Sequence, residues 1–234
     1  LLVLGGAAPA WAGYQGTVHV NDTAFDAACL GFEDGYPEKM HPAAVAAYKR
    51  LGYETTSFFG RPFTKDTVLK RVANDWGVYV HTHGDRYAHS DGNRYSGFRV
   101  DAGICRGAPI VYSKEIATKR AGRQSNLVVM STCALGDPDT TMPAAFAIAK
   151  DKALALEWNG PEFYLGYLGD AWDSDQWIFE QRFWDALGDG QGVGAAFDLA
   201  LGGGGFKHPF DADWWGSYYW SGRAGPGGTC SNCS

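Results

Sequence analysis

Two apolar runs, each ending in a reactive side chain, do most to constrain what this chain can fold into. The first is Trp76-Gly77-Val78-Tyr79-Val80-His81-Thr82-His83-Gly84. The second is Asn126-Leu127-Val128-Val129-Met130-Ser131-Thr132-Cys133. Neither carries an acidic or basic residue other than histidine, and both are rich in β-branched or large apolar side chains. A strand covered on both faces reads this way, as a continuous apolar run rather than an alternation. The two runs therefore predict neighbouring strands of a parallel sheet. Ligands bind outside the carboxyl ends of such strands, so His83 and Cys133 are expected to meet at one edge.

The segments around them alternate. Ala27 to Phe32 reads as a first core strand, broken by a loop over Glu33-Asp34-Gly35-Tyr36-Pro37. Pro42 opens a helix over Ala43 to Leu51 and Gly52 closes it, the usual asymmetry of proline at the start and glycine past the end. Tyr53 to Phe59 reads as a strand, and Thr64 caps a helix running to about Ala73. This rhythm predicts βαβ units and an α/β fold with a mainly parallel sheet. Further along, Gly84 to Cys105 reads as a loop with a short hairpin around Phe98, and Ile110 to Tyr112 as a short strand with Ser113 capping a brief helix. A turn at Gly136-Asp137-Pro138-Asp139 leads to a helix over Met142 to Lys150 and a strand over Ala153 to Trp158. Two helices follow, an aromatic one over Asp175 to Leu187 and a small-residue one over Gly194 to Leu201. Trp214 to Trp220 is expected as an edge strand or lid.

At 234 residues, with 45% hydrophobic and 20% charged content, one globular domain is expected over 13–222. The net charge of −6 argues against a nucleic-acid partner and favours a pocket for a cationic group. Residues 1–12 resemble the end of a secretory leader with a cleavage motif at Ala10-Trp11-Ala12, so a secreted or extracytoplasmic protein is expected. No other run is long and apolar enough to span a bilayer. Residues 223–234 form a Gly/Cys-rich tail. Of five cysteines, Cys133 is the free one if Cys29 pairs with Cys105 and Cys230 with Cys233, although four cysteines allow three connectivities.

A thiol needs a base or a positive neighbour to become a nucleophile near neutral pH. His83 can supply it. Gly84, with no side chain, can bring its N–H close to a substrate carbonyl, and with the N–H of Cys133 it forms a candidate oxyanion hole. His81 lies a pleat deeper and reads as structural. A competing reading takes His81, His83 and Asp85 as metal ligands of a hydrolase. Only His89 and His208 remain downstream to complete such a set, and neither follows an apolar strand. No metal or other cofactor is expected on the first reading.

An apolar strand ending in His83-Gly84, then about fifty residues later a strand ending Ser131-Thr132-Cys133-Ala134-Leu135-Gly136, resembles the caspase-like cysteine peptidases, most of all their gingipain-type and CHAT-type members. The resemblance spans roughly Ala27 to Leu201, and the Gln-Ala-Cys-x-Gly signature of true caspases is absent. It implies a caspase-haemoglobinase fold, a three-layer α/β/α sandwich. It implies peptide-bond hydrolysis with Cys133 as nucleophile and His83 as proton donor, acting on a peptide or protein substrate. It points to Trp158 as a wall of the pocket for the residue before the scissile bond. Asp137 and Asp175 are the candidates for pairing there with Arg or Lys. A non-catalytic interaction module on the same fold is the alternative.

Overall fold

In the computed structural model, which describes residues 13–31, 33–137, 139–148, 162–200 and 217–223, both organising runs are strands, and they are neighbours. In chain order the elements are β1 (Gln15–Val20), α1 (Thr23–Leu30), α2 (Pro37–Arg50), β2 (Glu54–Phe59), α3 (Lys65–Val72), β3 (Gly77–His81), β4 (Gly84–Ala88), β5 (Arg94–Arg99) and β6 (Ile110–Tyr112). There follow α4 (Ser113–Arg120), β7 (Leu127–Ser131), α5 (Met142–Ala145), β8 (Glu162–Leu168), α6 (Asp173–Gly188), α7 (Val193–Ala200) and β9 (Ser217–Arg223).

The main sheet has the order β2-β1-β3-β7-β8-β9. Its first five strands are parallel, and β9 closes the edge antiparallel to β8. A second sheet, β4-β5-β6, is antiparallel and follows β3 directly. Strands buried on both faces need a helical layer on each side. Tyr79, Leu127, Val129 and Leu165 turn one way, onto Tyr48 of α2, Phe179, Phe183 and Trp184 of α6 and Ala196 of α7. Val78, Val80, Val128, Met130 and Tyr164 turn the other way, onto Val68 and Val72 of α3, Ile116 of α4 and Met142 of α5. The molecule is thus the three-layer α/β/α sandwich expected, with a mainly parallel sheet.

Several local expectations need correction. Ala27 to Leu30 is helical, not a strand, and the first strand is Gln15–Val20. The reason is capping. The Asp22 carboxylate accepts from the Phe25 N–H at 2.8 Å and starts a helix that Gly31 stops in the left-handed region, at φ 83°. The next helix starts at Pro37 rather than after Pro42, which lies inside it. Ser113 is the first helical residue of α4, with Tyr112 as its cap, and the hairpin after β3 already begins at Gly84. Of the helix expected over Met142 to Lys150, the described residues hold the single turn of α5, followed by Ala147 at positive φ. The strand beside β7 is Glu162–Leu168, a segment not singled out in the sequence. The strand expected over Ala153 to Trp158 lies outside the described residues, as do Cys230 and Cys233. The Cys29–Cys105 disulfide forms as expected, and Cys133 is a free thiol. Among the described residues, no helix is long and apolar enough to cross a membrane.

Candidate active site

The sheet order reverses between β1 and β3: the chain goes from β1 outward to β2, then returns past β1 to β3. A crevice opens at the carboxyl end of such a switch point. Three adjacent strands deliver side chains to it. His81 pairs in register with Ser131, so His83 and Cys133 both emerge two residues past the strand ends. The Asn21 N–H bonds the His81 carbonyl at 3.2 Å, which holds the exit of β1 at the same level. One turn into α1, Asp26 then reaches the crevice. His83 and Cys133 line one pocket there. Asp26, Asp34 and Asp173 line it too, and Trp172 and Leu30, each about two-fifths exposed, bring apolar surface to it.

His83 Nε2 lies 2.7 Å from Asp26 Oδ1, a bent charge contact rather than a linear hydrogen bond. The same oxygen accepts from Asn21 Nδ2 at 3.3 Å. Burial pushes the Asp26 carboxyl up, but the contact with His83, followed by the charges of both histidines, outweighs it and leaves the pKa below the ordinary carboxylate value. Asp173 moves the opposite way. Burial first, then the charges of Asp26 and Asp34, hold it well above the ordinary value. The two carboxyls are therefore pushed in opposite directions, Asp26 toward its ionised form and Asp173 toward its protonated one.

His81 is buried beneath them, and burial lowers its pKa to about 4, so it is neutral at ordinary pH. Its Nδ1 lies 3.1 Å from Ser131 Oγ, which itself donates to Gln176 Oε1 at 3.1 Å. With the serine proton spent on Gln176, Nδ1 must carry the hydrogen, and Nε2 faces Asp173 at 3.7 Å as an acceptor.

Cys133 sits at a sharp turn, with the next residue, Ala134, at φ 57°. The Ala134 N–H is bonded to the Gly169 carbonyl at 2.7 Å and the Gly136 N–H to the Tyr167 carbonyl at 2.7 Å, which pins the turn to the end of β8. Cys133 Sγ accepts from the Ala171 N–H at 3.4 Å. Burial pushes the thiol up to about 11; the Ala171 N–H opposes this, and the charges of Asp170, Asp173 and Asp85 add to it. Gly84 packs against the same turn. A Cβ there would stand 2.7 Å from the Cys133 carbonyl and 2.8 Å from the Thr132 side chain, so only glycine lets β4 start this close.

The acidic residues of the pocket are not the expected ones. Asp137 accepts from the Gly169 N–H at 2.7 Å and holds the turn after β8, while Asp175 is buried in the first turn of α6. Neither lines the pocket, and Trp158 lies outside the described residues. Asp26, Asp34 and Asp173 stand where those carboxylates were sought. Asp26 stands one residue before a segment that reads as strand, and Asp173 lies two residues before Asp175. Among the described residues, the acidic or histidine group whose ligand atoms could share one ion is Asp26, Asp34 and Asp173, not His81, His83 and Asp85. The two histidines instead contact separate carboxylates.

No protein-family model matches the chain, and no curated protein matches it. Among solved structures, the crystal structure of protein GSU0716 from Geobacter sulfurreducens aligns with a TM-score of 0.42 and 10% identity, over 92% of this chain and 95% of that one.

Proposed function

We propose that the chain is a cysteine endopeptidase of the caspase-like group it resembles in sequence, cutting after a basic residue. The observation that supports this reading is that His83 and Cys133, from the ends of adjacent parallel strands, line one acid-lined pocket. In the resting site Cys133 is a thiol, because its burial disfavours the thiolate and the nearby acidic side chains add to that. A guanidinium or ammonium entering the pocket neutralises that field, while its aliphatic stem lies along Trp172 and Leu30. The thiol proton then passes to His83, and the thiolate attacks the scissile carbonyl carbon. His83 returns the proton to the leaving amine as the C–N bond breaks, giving an acyl-enzyme. A water molecule, its proton taken by His83, hydrolyses the thioester and frees Cys133. Asp26 holds the imidazole and stabilises its charged form through the 2.7 Å contact. Gly84 and Cys133 remain the candidate N–H donors for the oxyanion. The Cys29–Cys105 disulfide supports a secreted or extracytoplasmic setting.

Fluorogenic peptides ending in Arg, Lys, Leu or Glu before the reporter test this. Arg or Lys substrates are expected to be cleaved, with Cys133→Ala and His83→Ala each lowering kcat/KM by about 10³-fold or more. Cleavage that survives Cys133→Ala, or a preference for Glu, would overturn the reading. The raised thiol favours one second reading, a non-catalytic module that captures basic peptides in the same pocket. On that reading the Arg peptides bind without being cut, and a peptidyl-Arg chloromethyl ketone leaves Cys133 unmodified.

A further inference from the structure

We propose that Arg61, Arg99 and Arg106 form a docking surface for the acidic side chains of a peptide, on the hairpin side of His83. All three stand on the segment over 99–109 or against it. The Arg99 guanidinium donates to the Cys105 carbonyl at 2.7 Å and lies 5.3 Å over the Tyr87 ring. Arg106 follows Cys105 directly, and Arg61 packs on the same loop, where a Cβ on Gly103 would stand 3.6 Å from its guanidinium. Arg99 is half-buried and the other two are exposed. Among the described residues, ion pairs engage Arg50, Lys65, Arg71, Arg86 and Lys114, but none of these three. The carboxylates beside them have other partners. Asp101 is buried and accepts from the Asp22 and Gly103 N–H groups at 3.3 and 2.8 Å. Asp85, exposed on the hairpin, accepts from the Arg86 N–H at 2.6 Å. In a chain of net charge −6, three such guanidiniums on one loop reverse the local sign. A patch of reversed sign selects a partner of the opposite charge.

The surface adjoins the candidate dyad. The Arg99 N–H bonds the His83 carbonyl at 2.9 Å. In the β4–β5 ladder Gly84 stands opposite Phe98 and Asp85 opposite Gly97. Phe98 is buried in the core, so by alternation Asp85, Tyr87 and Arg99 share the other face of the hairpin. Tyr87 lies close enough to Cys133 for a charge on one to oppose a charge on the other. None of the three arginines lines the acidic pocket, so the two charged regions are separate. The loop is held from several sides, by the Cys29–Cys105 bridge, by Asp101 on the Asp22 N–H and by the Val100 N–H on the Pro109 carbonyl at 3.0 Å. A surface formed in advance loses little freedom when a partner docks. Which part of a substrate docks there rests on the peptidase reading. The leaving amine must reach His83 for its proton, so the chain after the scissile bond passes His83 toward Arg99. The acidic side chains are then those that follow the cut, and the preferred substrate is basic before it and acidic after it.

Two measurements on the full chain separate the proposal from that reading. The first is fluorescence anisotropy with a Gly-Asp-Asp-Glu peptide labelled at its C-terminus, with counterparts carrying Ala or Lys at the acidic positions, and with a labelled oligothymidine. The acidic peptide is expected to bind most tightly and to lose affinity as salt rises. Arg99→Gln, at a half-buried guanidinium, should weaken it roughly tenfold, and Arg106→Gln, at an exposed one, about two- to fivefold. Arg106→Gln removes no contact that holds the loop, so it keeps the test open should Arg99→Gln fold poorly. Lys70→Gln, in the last turn of α3, should bind as the parent does. Equal binding of the acidic and Lys peptides, affinity that both variants retain, or tighter binding of the oligothymidine would overturn the proposal. The second measurement is cleavage of quenched peptides with Arg before the cut and Asp, Ala or Lys two residues after it. Asp is expected to raise kcat/KM about fivefold over Ala, and Arg106→Gln to remove most of that gain. Cleavage indifferent to Asp or Lys would overturn the proposal and leave the peptidase reading standing. Acidic binding that the variants lose, with no peptide cut, would support the docking surface and sink the peptidase reading instead.

Discussion

Cys133 illustrates how a single residue can be legible in type and hidden in state. Its position at the end of an apolar strand, and that of His83, could be read from the sequence because a buried parallel strand announces itself by composition and delivers its last residues to a known edge. The carboxylates around them could not, since Asp26 and Asp173 are brought in by helices whose packing is decided far away in the chain. Burial first, and then the charges of Asp170, Asp173 and Asp85, set the thiol's character. With its pKa pushed up to about 11, the thiolate fraction at neutral pH is small and grows tenfold per pH unit below that value. Alkylation of Cys133 by iodoacetamide, followed by mass spectrometry of the intact protein, is therefore expected to be slow at pH 7 and to climb with unit logarithmic slope beyond pH 9. A plateau below pH 8 would mean that a positive partner dominates the sulfur instead.

Among the elements, α6 and α1 fix the site in different ways. The aromatic spacing of α6 identified it in the sequence. What could not be seen is that Glu180, fully buried on it, accepts from Tyr79 of β3 at 2.7 Å and from Tyr167 of β8 at 2.9 Å, tying the helix that carries Asp173 to the sheet. Burial raises Glu180 from an ordinary value near 4.5 to about 7. A carboxyl raised in the folded state binds its proton more tightly there than in the unfolded chain. Its contribution to stability is thus fully present below pH 4.5 and is lost as pH rises through about 7. The loss is of order 3 kcal/mol for such a shift, and Asp75, raised to about 6, adds in the same direction. Urea unfolding of the parent should show stability declining from pH 5 to pH 8, and Glu180→Gln should flatten much of that decline. The short helix α1 resembles a strand in sequence only because Ala27 to Phe32 is a short apolar run; its residues are not β-branched, and Asp22 caps it. It depends on a crosslink one turn beyond Asp26. The Cys29–Cys105 bridge spans 76 residues, a closure worth about 4 kcal/mol in the chain-entropy account. Replacing both cysteines by serine should lower unfolding free energy by roughly 2–5 kcal/mol, and hydrogen exchange should quicken first in Thr23–Leu30. Uniform loss of protection across the sheet would show that the bridge does not act locally on α1.

For the molecule as a whole, the layer architecture followed from the alternation of segments, whereas the order of the strands did not. Nothing in the runs themselves states that β1 lies between β2 and β3, yet that placement creates the crevice, and β1 itself went unrecognised in the sequence. The strand β8 was also missed, since Glu162 to Leu168 follows a proline and carries a central glycine that reads as a break. Its partner β9 has a consequence for the molecule's life among its own copies. Parallel strands of high apolar content are the most readily recruited by a stranger, because every N–H and C=O along an open margin invites a matching chain. β9 occupies that margin along all seven residues of β8, from Glu162 opposite Arg223 to Leu168 opposite Ser217. A chain ending before Ser217 would keep Cys133, His83 and their carboxylates, but would expose a ready template for self-association. Its sedimentation coefficient should rise with concentration more steeply than that of the longer chain; an equal dependence would show that β9 does not guard this margin.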